Sequence, residues 1–360
     1  MSNITEQKCP ECGAPLRFDP ARGLMVCDYC DKTVELPQQP EAEPQEPEVD
    51  GFDFNSLGAQ ASQENADAVP IYNCVSCGAE VITPPEQAAL TCPYCGNNIV
   101  LTQKVSGKLR PDGLIPFKLD ARDLPARMNS FYRDKVLLPR RFFSDSTMGK
   151  VTGVYVPFWI FNGRMTGVLD FTAHTSVSRR QGDYTVTTTS HYALRRDVDL
   201  SFRDVPVDAS GRIDDDLMDS LEPFDMTASV PFDMRYLAGF TADRFDREKG
   251  DVAPRAKERM IRTADKVVTG RVGGEYAGVR RVGGELHSQL QARYLLLPVY
   301  LFEIAHGGRS YRFAVNGQTG KVVGDVPTDG GVSRMYFLKR LGATVAAVLG
   351  LLFGKYLLGW

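Results

Sequence analysis

Residues 9–30 read CPECGAPLRFDPARGLMVCDYC, and residues 74–95 repeat the same cysteine pattern as CVSCGAEVITPPEQAALTCPYC. Both stretches follow C-x2-C-x14-C-x2-C, and the two copies align without a gap over residues 9–36 and 74–101. Tyr29 and Tyr94 occupy the same position within the second cysteine pair of each copy. Because all 8 cysteines of the chain fall within this repeat, it decides how the N-terminal part folds.

The spacing of the cysteines is typical of a tetrahedral metal site. Two cysteines separated by two residues in a tight turn can direct both sulfur atoms at one point, and the glycine after the second cysteine permits the left-handed backbone of such a turn. Two turns of this kind complete a four-thiolate shell that has no open position, so the metal is expected to be structural and not catalytic. The predicted ligands are Cys9, Cys12, Cys27 and Cys30 in the first site, and Cys74, Cys77, Cys92 and Cys95 in the second.

Zinc is the metal that we expect in both sites. The first residues, MSNITEQKCP, do not resemble a signal peptide, so we expect a reducing compartment, where CxxC pairs are metal or redox sites. Four matched pairs outside a βαβ context favour structural zinc over thioredoxin-like motifs, disulfides or an iron–sulfur cluster. Rubredoxin-type iron uses the same ligands, and the spacing does not separate it from zinc.

The chain divides into five segments by composition. Residues 37–70 are rich in Pro, Glu and Gln, which predicts a flexible acidic linker spanning roughly 30 Å, on which the first ribbon searches widely. The predicted organisation is zinc ribbon 1 at 1–36, the linker at 37–70, zinc ribbon 2 at 71–104, an α+β body at 105–334 and a transmembrane tail at 335–360.

The body shows both helical and strand periodicity. Leu124, Met128, Phe131 and Tyr132 predict one helix, with Asp120 or Asp123 as its N-cap. A second helix is predicted near 253–268, with Ala256, Met260, Ala264 and Val267 on one face. VYVPFWIF, Asn162-Gly163 and RMTGVLDFTAH predict a strand, a tight turn and a strand. The predicted fold class is two tandem zinc ribbons, an α+β domain with a mainly antiparallel sheet, and one C-terminal transmembrane helix.

The tail carries the prediction of a membrane span. Residues 341–360 contain only Thr344 and Lys355 as polar side chains, and twenty helical residues span about 30 Å. Lys339 and Arg340 precede the span, which by the positive-inside rule places the N-terminal domains in the cytoplasm of a single-pass cell-membrane protein. A ridge of small residues predicts self-association, although glycine is also common in membrane helices; it consists of Gly342, Ala346, Gly350 and Gly354.

Charge and missing motifs narrow the functional classes. The net charge is −3, and residues 73–101 hold Glu80 and Glu86 but no Lys or Arg, which favours protein partners over nucleic acid. The chain has no GxxxxGK[ST], GxGxxG, HExxH or GxSxG motif, so no catalytic or cofactor-binding residue is assigned.

The ribbons are similar to zinc ribbons of the general transcription-factor and RNA-polymerase type. With the blocks GVYVPFWIF and LLPVYLF…YRFAVNGQTGKVVG, the whole chain resembles a family of bacterial TFIIB-type zinc-ribbon membrane proteins. Members of that family are often labelled primosomal helicases, a label that does not fit a chain without a nucleotide-binding loop. The resemblance implies a membrane-tethered protein with two zinc ions, linked in some relatives to phage-shock membrane-coat proteins.

The combined prediction is a non-enzymatic adaptor that binds protein partners at the cytoplasmic face of the membrane, in an envelope-stress context. A membrane-associated nucleic-acid-binding protein is the first alternative, and salt-sensitive binding to DNA or RNA distinguishes it. An enzyme with its site in the α+β body is the second, and a deep pocket lined by ionisable groups distinguishes that one.

Overall fold

A computed structural model describes residues 8–36, 71–83, 90–99, 110–133, 135, 137–139, 142, 147–148, 151–327 and 330–358. The helices are α1 (Leu124–Arg133), α2 (Asp215–Ser220), α3 (Lys249–Gly273) and α4 (Gly330–Leu358). The strands are β1 (Leu16–Asp19), β2 (Leu24–Cys27), β3 (Thr33–Val34), β4 (Ile71–Asn73), β5 (Glu80–Ile82), β6 (Leu90–Thr91), β7 (Asn98–Ile99), β8 (Gly113–Leu114), β9 (Thr147–Met148), β10 (Thr152–Gln181), β11 (Tyr184–Asp208), β12 (Val230–Pro231), β13 (Thr241–Asp243), β14 (Ala277–His306), β15 (Arg309–Asn316) and β16 (Val322–Gly324).

Three long strands form the centre of the body. β10 runs without interruption for 30 residues and pairs antiparallel with β11 on one side and β14 on the other. Its first half, around Tyr155 and Trp159, is buried from both faces and is therefore a near-continuous apolar run. Eleven of the described strands join in one sheet, in which only the short pairs β10–β13 and β14–β8 are parallel.

The predicted tight turn at Asn162-Gly163 is wrong, because β10 continues through both residues. The register with β11 shifts between Phe161 and Gly163, which is a bulge, and Asn162 Oδ1 accepts the Asp204 amide at 2.8 Å. A Cβ on Gly163 would lie 2.7 Å from the Leu290 side chain, so the glycine serves a close approach of strands. The actual turn is at 182–183, between β10 and β11.

The two helices predicted from apolar periodicity are both confirmed. In α1, Leu124, Met128 and Tyr132 are buried, and Asp120 with Asp123 forms a capping box at the start of the preceding 3-10 turn. α3 lies across the sheet and is longer than predicted; it buries Val252, Ala256, Met260, Ala264, Val268 and Val272, whereas the predicted Val267 is 36% exposed.

The first ribbon packs on the body. β1, β2 and β3 form a small antiparallel sheet whose Phe18 contacts Ala238 and meets Tyr236 edge to face, with ring centroids 5.2 Å apart. The Phe18 amide also donates to the Ala238 carbonyl at 3.1 Å. The first ribbon is therefore packed against the body in this structure. This position differs from the prediction that the ribbon moves freely on a flexible linker.

The second ribbon is part of the main sheet. Its β4 and β5 pair with each other, and β5 pairs antiparallel with β13 through Ile82 with Ala242 and Val81 with Asp243. Because β13 also pairs with β10, the ribbon is connected through backbone hydrogen bonds to the longest strand of the body. Only β6 and β7 form a separate two-stranded sheet.

The predicted transmembrane tail is wrong. α4 carries the cations Arg334, Lys339, Arg340 and Lys355, and the longest uncharged run between them, 341–354, spans about 21 Å, less than the ~30 Å hydrocarbon thickness. The side chains at 351–360, on which the predicted span also relied, lie outside the described residues. No helix in the described chain has both the length and the apolar character needed to cross a membrane. The location at the cell membrane and the self-association of the chain through its ridge of small residues stay predictions.

Candidate metal centres and their contacts with the body

Each cysteine quartet comes together in one cluster. In the first, Cys9 Sγ lies 3.5 Å from Cys30 Sγ, and Cys12 Sγ lies 3.5 Å from Cys27 Sγ. In the second, the corresponding distances are 3.6 Å for Cys74 to Cys95 and 3.6 Å for Cys77 to Cys92. The four Sγ atoms of each cluster all lie within 4.8 Å of one another.

These distances fit a tetrahedral thiolate shell. Four sulfurs at ~2.3 Å from a central ion are separated from one another by roughly 3.8 Å, close to the spacing of both clusters. The eight predicted ligands are therefore positioned to hold two metal ions, each with four protein ligands.

The turns that carry the cysteines favour the thiolate. Gly13 and Gly78 have φ of 71° and 72°, and the Gly13 amide donates to the Cys9 carbonyl at 2.9 Å. A backbone hydrogen bond from Cys12 lowers the pKa of Cys9 to about 7. At Cys74, burial raises the pKa of the thiol, but backbone hydrogen bonds from Cys77 and Ser76 lower it, and the resulting pKa is about 7 as well. The backbone thus favours the thiolate at the first cysteine of each quartet, whereas hydrogen bonds between sulfurs and burial raise the pKa values of Cys12, Cys30, Cys77 and Cys92.

The second cluster is attached to the body through Tyr94. Its hydroxyl donates a short hydrogen bond to Oδ2 of Asp243, a fully buried residue of β13. Ser210 Oγ donates to the same oxygen at 2.8 Å, and the Arg212 guanidinium lies 5.9 Å from the Tyr94 ring centroid. Arg212 also donates to the Gly78 carbonyl at 3.0 Å. Both CxxC turns of this ribbon, which we call its knuckles, therefore contact the body.

Burial dominates the electrostatics of this contact. It raises the pKa of Asp243 to about 7, although the hydrogen bonds from Tyr94 and Ser210 act in the opposite direction. Burial and the neighbouring Asp243 carboxylate also raise the pKa of Tyr94. The spacing of cysteines indicates the metal site, but nothing in the sequence pairs Tyr94 with a residue 149 positions later, so this contact was missed.

The equivalent tyrosine of the first ribbon has the opposite environment. Tyr29 is 80% exposed, whereas Tyr94 is held between the ribbon and the body. The first ribbon instead contacts the body through Phe18 and Met25, on its strands. Its second knuckle therefore points a large aromatic side chain into solvent.

A cleft of about 500 Å³ lies beside the Tyr94 contact, between the second cysteine pair of the second ribbon and the body. Its lining includes Tyr94, Arg212, Phe302, Glu303 and Arg312. Arg312 Nε lies 3.3 Å from Glu303, whereas Arg212 pairs with Asp246 at 3.8 Å and donates to the Gly78 carbonyl of the ribbon.

Comparison with known proteins gives one extended similarity. Over 346 residues the chain is 32% identical to a Bacillus subtilis (strain 168) protein described as "Uncharacterized protein YdjG". The alignment covers 96% of this chain and 96% of the relative. No family model matches the chain. No solved structure matches it either.

Proposed function

We propose a function from the premise that this chain belongs to the family of the Bacillus subtilis protein YdjG: it is an adaptor, stabilised by two zinc ions, that binds protein partners. The proposal is built from the residues of the chain itself. It has three supports: the closed ligand sets, the exposed knuckle of the first ribbon, and the balance of charge on the ribbons.

Zinc suits the ligand sets because it prefers four ligands in a tetrahedron and accepts thiolates. With four cysteines in each set, no position stays open for water or substrate, so zinc here holds the ribbon together. Such small segments bury little apolar surface, and structural zinc contributes on the order of 10–16 kcal/mol in peptide models.

Tyr29 is the observation that carries the adaptor role. In the second ribbon the equivalent Tyr94 enters a protein surface, donates to a buried carboxylate and lies beside an arginine. This contact within the chain supports the proposal that the equivalent turn of the first ribbon binds protein. The first ribbon offers the same aromatic side chain, 80% exposed, to a partner. Tyrosine is enriched at protein interfaces because it combines a large apolar ring with a hydrogen-bonding hydroxyl.

The charges of the first ribbon favour a protein partner over nucleic acid. Lys32 lies 2.6 Å from Glu11, and Arg17 lies 3.4 Å from Asp28, so these cations are paired with acids. In the second ribbon, Glu80 pairs with Arg244 of the body. A phosphate-binding surface requires a cluster of unpaired cations, which the described parts of the ribbons do not provide.

The test compares partners of the full chain with those of two variants. Proteins cross-linked to the wild-type chain in cells are quantified against Tyr29→Ala and against Val75→Ala. Val75 is 88% exposed on the second ribbon and serves as the matched control. We expect a specific partner that is retained by Val75→Ala and reduced by about tenfold or more by Tyr29→Ala, as for an aromatic hot spot.

Metal content is measured on every variant, so that loss of a partner is not confused with loss of the ribbon. Equal recovery of all partners by Tyr29→Ala would contradict the proposed site. Salt-sensitive binding of DNA or RNA by the wild-type chain, without a protein partner, would replace the adaptor by the nucleic-acid alternative.

A further inference from the structure

The central sheet extends into a two-stranded arm. Pairing between β10 and β14 ends at His174 with Ala277, whereas β10 and β11 continue as a hairpin to the turn at 182–183. We call residues 175–190 the β-arm. A hairpin of two strands is marginally stable in water, because stable sheets need three or more strands or a covering helix.

The outer edge of β11 lacks the usual protection against pairing. Within the described chain, β11 pairs with β10 alone, so its other edge has unpaired backbone groups. Residues 184–194 read YTVTTTSHYAL and contain no Lys, Arg, Asp, Glu or Pro. Natural edge strands that must stay unpaired carry charges, prolines or bulges. This edge has the features of a strand that pairs.

One face of the arm also exposes apolar side chains. Tyr184, Val186 and Tyr192 alternate along β11 on the same face and are 78%, 47% and 39% exposed. On the opposite face, hydroxyl groups bond across the hairpin, with Ser176 Oγ 3.0 Å from Thr189 Oγ1 and a similar pair one step further. Tyr276 covers part of Tyr192, with ring centroids 5.1 Å apart, whereas no described aromatic ring packs against Tyr184 and Val186 stays about half exposed.

We propose that the β11 edge pairs antiparallel with the β11 edge of a second copy of this chain, in a register centred on Thr189. In this register Val186 lies opposite the partner's Tyr192, and Tyr184 opposite Leu194, so apolar residues meet on one face. Asp183 lies opposite Arg195, and the twofold symmetry forms each of these pairs twice. The two hairpins become one four-stranded sheet.

The charges at the two ends of the edge favour a second copy as the partner. Asp183 forms no ion pair with another described residue, and Arg195 is the first cation after the uncharged stretch. Arg195 Nε donates to Asp170 at 2.8 Å, which fixes its side chain while leaving it 74% exposed. Acid and base sit at equal distances from Thr189, so antiparallel self-pairing brings them together. Opposite charges directly across strands stabilise a pair, and like charges destabilise it.

A charge-exchange experiment on the full-length chain tests this register. Asp183→Arg alone places two arginines opposite each other in both halves of the dimer, and Arg195→Asp alone places two aspartates there. We expect each variant to raise the dimer Kd by about tenfold or more relative to wild type, because two attractive pairs become repulsive. Mixing the two variants restores both attractive pairs, so we expect heterodimers with an affinity near that of wild type.

Native mass spectrometry of the mixture, with sedimentation velocity of each variant, measures the result. Arg179→Asp on β10 is the matched control: it makes the same charge change on the arm, outside the predicted contact, and we expect the wild-type Kd. A wild-type chain that stays monomeric would overturn the proposal. So would a dimer insensitive to both reversals, a mixture without preferential heterodimers, or open-ended oligomers.

Discussion

At the scale of single residues, the two ribbons show how one sequence repeat acquires two roles. Tyr29 and Tyr94 occupy the same position of the repeat, yet one is exposed and the other donates to buried Asp243. The difference comes from the body, which provides Asp243, Ser210 and Arg212 at the second ribbon. The alignment of the two copies alone does not distinguish the two tyrosines.

The same substitution in both ribbons measures this difference. We expect Tyr94→Phe to lower the free energy of unfolding by about 1–3 kcal/mol, because it removes a donor from a buried carboxylate. Tyr29→Phe removes an exposed hydroxyl and should change stability by less than about 0.5 kcal/mol. Denaturant unfolding of both variants, with metal content verified, provides the comparison. Equal effects would mean that the Tyr94 contact contributes no stability.

Asp243 should make stability depend on pH near neutrality. Its folded pKa of about 7 lies above the usual aspartate value of 3.8 because the carboxyl is buried, so the folded state holds the proton more tightly than the unfolded state. Stability from this group is fully present below the unfolded pKa and is lost as pH rises through about 7. We therefore expect the wild-type free energy of unfolding to fall between pH 5 and pH 7 more steeply than that of Asp243→Asn, and the two slopes to converge above about pH 8.

Unfolding is measured with zinc in excess at each pH, so that metal loss does not add its own pH dependence. Burial raises the pKa of Asp208, and the Asp243 carboxylate raises it further, so the comparison reports Asp243 together with its coupling to Asp208. Identical slopes for wild type and Asp243→Asn would show that this carboxyl ionises alike in the folded and unfolded states.

Two adjacent glycines of β14 should respond differently to alanine. Gly284 has φ of 111°, and a Cβ there would lie 2.2 Å from the Val168 carbonyl oxygen. A Cβ on Gly283 would meet Asp170 Oδ2 at 3.6 Å, an ordinary contact. We expect Gly284→Ala to destabilise the chain by about 1–3 kcal/mol or more, and Gly283→Ala to lie within roughly 0.5 kcal/mol of wild type. The melting temperatures of the two variants are compared by thermal unfolding. Similar melting temperatures would contradict the close approach of β10 and β14.

At the scale of elements, the ribbons differ in how they join the body. The first contacts it mainly through side chains around Phe18, whereas the second adds β4 and β5 to the main sheet. Loss of the second metal should therefore loosen the sheet edge at β13, and loss of the first should stay local.

Corresponding exposed ligands give a matched pair of variants for this difference. We expect Cys77→Ser to speed amide exchange in Ile71–Asn73, Glu80–Ile82 and Thr241–Asp243, since β13 loses its partner strand. Cys12→Ser should speed exchange in Leu16–Asp19 and Leu24–Cys27 and leave Thr241–Asp243 unchanged. Amide hydrogen exchange, followed by mass spectrometry, is measured for both variants and for the wild-type chain. Equal protection of Thr241–Asp243 in the two variants would contradict the structural role of the second ribbon.

Local patterns predicted the elements better than they predicted contacts between elements. The cysteine spacing identified both clusters, and the helical period located α1 and α3, because these signals depend on near neighbours. Asn162-Gly163 is a strong turn signal in isolation, but pairing with β11 and β14 on both sides keeps the strand extended. Apolar composition likewise suggested a membrane span, although none of the helices in the described chain is long and apolar enough to cross a membrane.

At the scale of the whole molecule, two small metal-binding units are held against a body built around three long strands. The second ribbon uses its knuckle tyrosine within the chain, the first exposes the same residue, and the β-arm extends from the opposite end of β10. The proposed partner surfaces, Tyr29 and the β11 edge, therefore lie on different elements. Variants at one should leave binding at the other unchanged.

The metal content of the purified full-length chain is the most direct test of the account, since both ribbons depend on it. Elemental analysis of zinc and iron per chain is combined with the unfolding profile before and after chelation. The account predicts two zinc ions per chain, and loss of protection in both ribbons when they are removed. A chain that contains no metal and keeps the same ordered ribbons, or one that holds iron in place of zinc, would contradict it.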